Sequence, residues 1–365
     1  MKERINVTKT FLPPIEEYES YVKNIWESGY LTNQGPLLKE FQQKIEEYLG
    51  VDNFHFVTNG TLAIQVALRA LGITEGEVIT TPFSYVATTS AILWEHCTPV
   101  YIDIEPETYC IDVSKIEAAI TKDTKAILAV HVFGNPCNIE AIEKIAKKHN
   151  LKVVYDAAHA FGVAYKGKSI FNYGDISITS FHSTKLFHTI EGGGIFVNDP
   201  TANQAVELTK RFGHEGDDHL MLGMNAKASE FQAAMGLSNL KYINTIIDSR
   251  KLAWESYSKL LSEAPLTLPV IAKNTTYNFA YYPVVFKSKE DLVKVFGLLN
   301  KKNIFPRRYF YPSLNTLPYL RNSSHCPVSE DISSRIACLP LYVGLELDVI
   351  EEISSTISMA LRGQG

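Results

Sequence analysis

The chain has 365 residues, 45% of them hydrophobic and 21% charged, with a formal net charge of −5. That length buries a sizeable core without staples and suits an enzyme of two domains. The acidic balance speaks against a nucleic-acid partner, which calls for a basic face. No apolar run is long enough for a membrane span, and Met1-Lys2-Glu3-Arg4 opens no basic-then-apolar leader. Cys97, Cys110, Cys137, Cys326 and Cys338 are scattered and lack metal spacing. The expectation is a cytoplasmic protein with reduced thiols, no metal site and no membrane partner.

Residues 14–29 read as a helix, because Ile15, Tyr18, Val22, Ile25 and Trp26 recur at helical spacing before Gly29. Residues 30–36 form a loop, and a second helix follows with Leu37, Leu38, Phe41, Ile45 and Tyr48 on one face. Phe54-His55-Phe56-Val57 reads as a strand, and Thr58-Asn59-Gly60-Thr61 leads into an apolar helix over 62–71. A strand, a small-residue turn and a helix start present free N–H groups and a helix dipole to an anion. Gly60 lets backbone approach such a ligand and Thr61 adds a hydroxyl, although the same residues also make an ordinary cap.

Residues 78–85 run from a strand into a loop, ahead of a helix over 86–94. There Tyr85 either stacks on a flat aromatic cofactor or packs in the core. Buried strands at 126–133 and 152–155 flank a helix over 138–149. This alternation predicts an α/β fold with a mainly parallel sheet, whose ligands bind at the carboxyl ends of the strands. Asp156 stands at such an end. A carboxylate there, facing a pyridine nitrogen, keeps that nitrogen protonated and makes the ring an electron sink; otherwise it caps the following turn.

Short strands at 176–179 and 195–197 bracket Ser180-Phe181-His182-Ser183-Thr184-Lys185 and Glu191-Gly192-Gly193-Gly194. Lys185 thus lies in a loop between two strands, and a lysine amine held there can form a Schiff base with a carbonyl compound. Residues 228–262 keep helical spacing throughout and predict one long, bent helix joining two domains. A strand at 281–286, a helix at 291–302 behind the Ser288 cap and a last helix at 347–361 complete the chain. Between them Arg307 and Arg308 sit among aromatics, as a clamp for an anionic substrate or as a solvated basic loop.

Taken in order, these segments resemble the DegT/DnrJ/EryC1/StrS family of pyridoxal-phosphate-dependent nucleotide-sugar aminotransferases. The likeness rests on Thr58 to Thr61, Pro82 to Thr88, Asp156-Ala157-Ala158-His159, Ser180 to Lys185, and Gly223-Met224-Asn225 before Ser229 to Ala234. It implies the fold-type I architecture: a large cofactor domain over 1–245 with a mainly parallel sheet, and a smaller C-terminal α/β domain over 246–365. It also implies a homodimer with shared active sites. Lys185 matches the lysine that carries pyridoxal 5′-phosphate, and Asp156 the partner of its ring nitrogen. His159, where many members have Gln, would lie beside the ring or its 3′-oxygen, and Tyr85 would stack on the ring. Gly60, Thr61 and Ser180 match phosphate contacts, and Asn225 would reach the phosphate of the other subunit's cofactor.

The expected reaction is a ping-pong exchange in which L-glutamate gives its amine to the cofactor and a keto-sugar nucleotide collects it. Relatives that act as dehydratases carry His at the position of Lys185, so the lysine favours transamination. A non-catalytic, sugar-nucleotide-binding relative is the reading from another class, and the complete set of Lys185, Asp156, Ser180 and Asn225 argues against it. Residues 7–14, 26–36 and 307–314 look most like the branch that aminates dTDP-4-keto-6-deoxy-D-glucose for bacterial O-antigen sugars. On that analogy Thr32, Arg307, Tyr309 and Tyr311 border the sugar and its diphosphate. A 3-keto sugar nucleotide is the rival substrate.

Overall fold

A seven-stranded sheet carries the site, in the order Phe54–Val57, Gly193–Val197, Ile176–Ser180, Lys152–Asp156, Thr124–Val130, Glu77–Thr80, Thr98–Tyr101. The computed structural model describes residues 4–320 and 324–362. Gly193–Val197 runs antiparallel to both neighbours, and every other pairing in the sheet is parallel. The fold is therefore α/β with a mainly parallel sheet, as the alternation of elements predicts. Its inner strands are apolar almost throughout because helices cover both faces. Gly60–Ala70 and Val86–Trp94 pack together on one side, over Val57, Val78, Leu128 and Val154. The aromatic core around Phe41, Phe54, Phe181 and Phe187 fills the other.

A smaller antiparallel sheet combines Leu266–Thr267, Tyr282–Phe286 and Ile336–Leu339. It shares a separate apolar core with the helices Lys289–Lys301 and Leu347–Leu361. The start of the chain joins this part: Ile5–Asn6 pairs in parallel with Ile304–Phe305.

Two elements depart from the sequence reading by more than their end residues. The single helix expected over 228–262 is two helices, Glu230–Leu240 and Ile243–Leu260. At the break Tyr242 leaves helical geometry (φ −106°, ψ 1°). Lys241 Nζ then reaches Glu17 Oε2 at 2.8 Å, and the Tyr242 hydroxyl donates to Glu17 Oε1. Apolar spacing continues across this corner, which hides it. The strand expected over 126–133 ends at Val130, and Val132–Gly134 makes a 3₁₀ turn with Phe133 at φ 56°. Those last apolar residues leave the sheet and build the wall behind His159.

Candidate active site

The site forms where the carboxyl ends of the parallel strands meet the start of the helix Gly60–Ala70. That helix begins two residues earlier than expected, so Gly60 and Thr61 are its first turn. The Asn59 side chain accepts the Leu62 N–H at 2.9 Å, and the first-turn N–H groups have no acceptor within the helix. Glycine is required here by contact rather than by dihedral. A Cβ on Gly60 would lie 3.0 Å from the Ser180 Cβ, and one on Gly193 would lie 2.4 Å from the Asn59 carbonyl carbon. The turn therefore closes tightly over the end of the strand Ile176–Ser180.

Asp156 ends its strand at 6% exposure. Its Oδ2 accepts the Thr88 hydroxyl at 2.8 Å and its Oδ1 accepts the Ala158 N–H at 3.1 Å. Burial raises its proton affinity, while those two donors and the Lys185 charge oppose the rise. Lys185 is the converse case. Burial lowers its amine to about 8, and the Asp156 carboxylate resists that fall. An appreciable neutral fraction is thus present near neutral pH, which is what a nucleophilic lysine needs.

The loop that presents Lys185 is held from several sides. Phe181 N–H donates to the Gly192 carbonyl at 2.8 Å, and Lys185 N–H donates to the His182 carbonyl at 2.8 Å. The start of the chain crosses outside: Thr10 Oγ1 donates to the Ser183 carbonyl at 3.0 Å, and His188 Nε2 donates to the Phe11 carbonyl at 2.7 Å. A reactive amine on a loop is thereby placed as firmly as one on a strand.

His159 is buried, and its ring lies nearly parallel to Phe310 and Phe133, with centroids 5.5 and 6.1 Å away. Phe133 N–H donates to His159 Nδ1 at 3.3 Å, which leaves Nε2 as the protonated nitrogen of the neutral ring. Burial, then the Lys185 charge, hold its pKa well below the usual histidine value, so it stays neutral.

One cavity of about 260 Å³ takes in Gly60, Thr61, Tyr85, Asp156, His159, Ser180, Lys185, Arg307 and Tyr309. Tyr85 is 56% exposed despite its size and borders this space. Arg307 stands over the Tyr309 ring at 5.1 Å, and its backbone pairs with Cys338 of the smaller sheet. Three other residues singled out in the sequence are absent from the cavity wall. Thr32 lies exposed in the loop before Pro36–Leu49. Asn225 is exposed and accepts from Lys227 Nζ at 2.7 Å. Tyr311 is half exposed, with the Arg308 guanidinium 3.3 Å from its ring centroid.

The wall also includes residues the sequence did not single out as site residues. His182 Nε2 stands 3.5 Å from Glu191 Oε1, and both side chains border the cavity with Thr184. Ser84, Tyr281 and Phe310 also line it. His182 and Glu191 stand in the two stretches that bracket Lys185, but nothing in their spacing shows that they meet. Tyr281 opens the strand expected over 281–286, which begins at Tyr282, and Phe310 sits in an aromatic-rich loop; by pattern alone both are core.

A desolvated amine, a hydrogen-bonded carboxylate at a strand end and a hydroxyl-lined helix start lie around one cavity, an arrangement chemically suited to a Schiff base beside a bound anion. Sequence comparison agrees: residues 14–358 match the DegT/DnrJ/EryC1/StrS aminotransferase family, and the chain belongs to that family. It is 40% identical over 364 residues to the dTDP-4-amino-4,6-dideoxy-D-glucose transaminase of Shigella dysenteriae, covering 98% of this chain and 99% of that protein. It is 40% identical to the Escherichia coli enzyme of the same name, over 97% of this chain and 98% of that one. The fold superposes with a TM-score of 0.94 on DesI, solved in the presence of its TDP-sugar product. That match has 28% identity and covers 100% of this chain and 95% of the other. Enzymes of this family use pyridoxal 5′-phosphate.

Proposed function

We propose that the protein transfers the amine of L-glutamate to C4 of dTDP-4-keto-6-deoxy-D-glucose, giving dTDP-4-amino-4,6-dideoxy-D-glucose. The observation that carries the reaction class is that Lys185 and the strand-end carboxylate of Asp156 border one cavity. The choice of sugar rests on likeness to the two transaminases of 40% identity.

The residues present fit the cofactor. Gly60 and Thr61 at the helix start, with the Ser180 hydroxyl opposite, suit a phosphate, and a side chain on Gly60 would crowd Ser180 at 3.0 Å. Asp156 suits the ring nitrogen, Tyr85 a ring face, and the His159 Nε2–H the 3′-oxygen. When bound, pyridoxal phosphate supplies a carbonyl for amine exchange and a ring that takes up the electrons released at carbon.

The chain's own groups then have distinct tasks. Lys185 Nζ would hold the cofactor covalently, and as a free neutral amine would be the base that moves a proton between two carbons. Asp156 holds the proton on the ring nitrogen. Arg307 and Tyr309 receive the sugar diphosphate, with Thr32 and Tyr311 farther out along its path.

The reading includes a homodimer whose partner supplies Asn225 toward the phosphate. Trp26, Trp94 and Leu222 are each more than 70% exposed, and Leu222 lies three residues from Asn225. Large apolar side chains left open in this way suit burial against a second copy. In this reading the cofactor domain spans 1–245, with Ile5–Asn6 reaching across to pair with the smaller domain of 246–365, the enzyme serves O-antigen synthesis, and it works in the cytoplasm.

The test is release of 2-oxoglutarate when the enzyme loaded with pyridoxal phosphate meets L-glutamate and no sugar. One equivalent per site supports the exchange, and none overturns L-glutamate as the donor.

A further inference from the structure

Ser84 and Thr88 stand at the start of the helix Val86–Trp94, where hydroxyl side chains ordinarily cap the first N–H groups. Neither does so. The cap position belongs to Tyr85, whose side chain makes no cap hydrogen bond. Both hydroxyls are directed elsewhere: Ser84 Oγ lies 2.8 Å from Thr88 Oγ1, which lies 2.8 Å from Asp156 Oδ2. All three residues are buried, at 3%, 1% and 6% exposure.

The direction of this chain follows from proton counting. An ionised carboxylate only accepts, so Thr88 spends its one hydroxyl proton on Asp156. The Thr88 oxygen is then free to accept, and Ser84 donates to it. The relay thus runs from Ser84 through Thr88 to Asp156, with every proton assigned. Ser84 borders the cavity and Thr88 does not, so Thr88 acts on the site only through Asp156.

We propose that Thr88 is a positioning residue for the reaction, and that the Ser84–Thr88 relay keeps the Asp156 carboxylate ionised and aimed at the ring nitrogen. This rests on the reading of Asp156 given above. A carboxylate that loses a buried hydroxyl donor becomes the stronger base and draws the shared proton from the ring nitrogen toward itself. The ring then becomes a poorer electron sink. Burial already pushes the Asp156 proton affinity up, and the Thr88 hydroxyl is the first of the groups that pull it down.

The test uses full-length enzyme loaded with ring-¹⁵N pyridoxal phosphate, comparing Thr88→Val, Thr88→Ser, Ser84→Ala and Asp156→Asn with the wild type. The expected result for Thr88→Val is a ¹⁵N signal moved toward the unprotonated ring, with kcat lower by roughly 10- to 100-fold. Thr88→Ser restores both, and Ser84→Ala moves both in the same direction by less. If Thr88→Val does not fold, the Ser84→Ala shift decides. A wild-type ¹⁵N signal in both Thr88→Val and Ser84→Ala, with Asp156→Asn shifted, overturns the relay and leaves Asp156 in its role. A wild-type signal in Asp156→Asn overturns the underlying assignment of Asp156, and the relay with it.

Discussion

Glu230 reaches across 193 positions to accept the Leu37 N–H at 2.8 Å, and its second oxygen accepts the Leu38 N–H at 3.0 Å. A carboxylate thereby caps the helix Pro36–Leu49, which has no side-chain cap of its own at Gly35. Glu230 is 1% exposed, and its own N–H donates to the Leu31 carbonyl at 3.0 Å. The loop over 30–36 is thus fixed to the helix Glu230–Leu240 from both ends. Replacing Glu230 with Ala strands two buried N–H groups and is expected to cost about 2–4 kcal/mol. Urea unfolding of the loaded enzyme measures this, and Glu230→Gln should recover part of the loss. A cost below about 1 kcal/mol would remove the cap from the account.

Lys185 in the cofactor-free protein is expected to control the pH dependence of cofactor uptake. Its amine is lowered to about 8, so the neutral nucleophile accumulates as pH rises through that value. The second-order rate of pyridoxal phosphate uptake, followed by absorbance, should climb around pH 8 and level off above it. Asp156 opposes the lowering, so Asp156→Asn should move the midpoint to lower pH. A profile centred near the ordinary lysine value would contradict the burial argument.

Lys185→Ala should abolish covalent attachment and reduce turnover by at least about 10³-fold. Borohydride reduction followed by peptide mass analysis reads the attachment directly. The wild type should carry the cofactor mass on the Lys185 peptide and on no other. Wild-type turnover in the variant would end the proposed mechanism.

Arg307→Ala should raise KM for the nucleotide sugar by roughly 10- to 100-fold, the range for losing a charge-assisted contact. The rate of 2-oxoglutarate release from glutamate alone should change far less, because that half-reaction involves no diphosphate. Steady-state and single-turnover kinetics separate the two effects. An equal loss in both would place Arg307 on the glutamate instead.

The fold was legible where a period coincided with one element. Residues 86–94 and 347–361 are helices over the spans their spacing predicts, and Asp156 falls at a strand end as a parallel sheet requires. What escaped depends on partners distant in sequence. The corner at Lys241 and Tyr242 is held by Glu17, more than 200 positions away, while the apolar spacing runs on as though the helix continued. Phe133 reads as one more apolar strand residue, yet it adopts φ 56° and donates its N–H to His159. Thr88 looks like any helix threonine until Asp156, 68 positions later, is seen to accept its hydroxyl proton. Pattern reveals which face of an element is buried, and it is silent about which polar atoms meet there.

Product NMR after mixing the enzyme, pyridoxal phosphate, L-glutamate and dTDP-4-keto-6-deoxy-D-glucose tests the central claim most directly. The account predicts a new amine at C4 in the equatorial position, with 2-oxoglutarate formed in equal amount. An axial amine at C4 would contradict the named product and give the galactose isomer. An unchanged sugar, with glutamate still consumed in the first half-reaction, would contradict the substrate and direct the search to 3-keto sugar nucleotides.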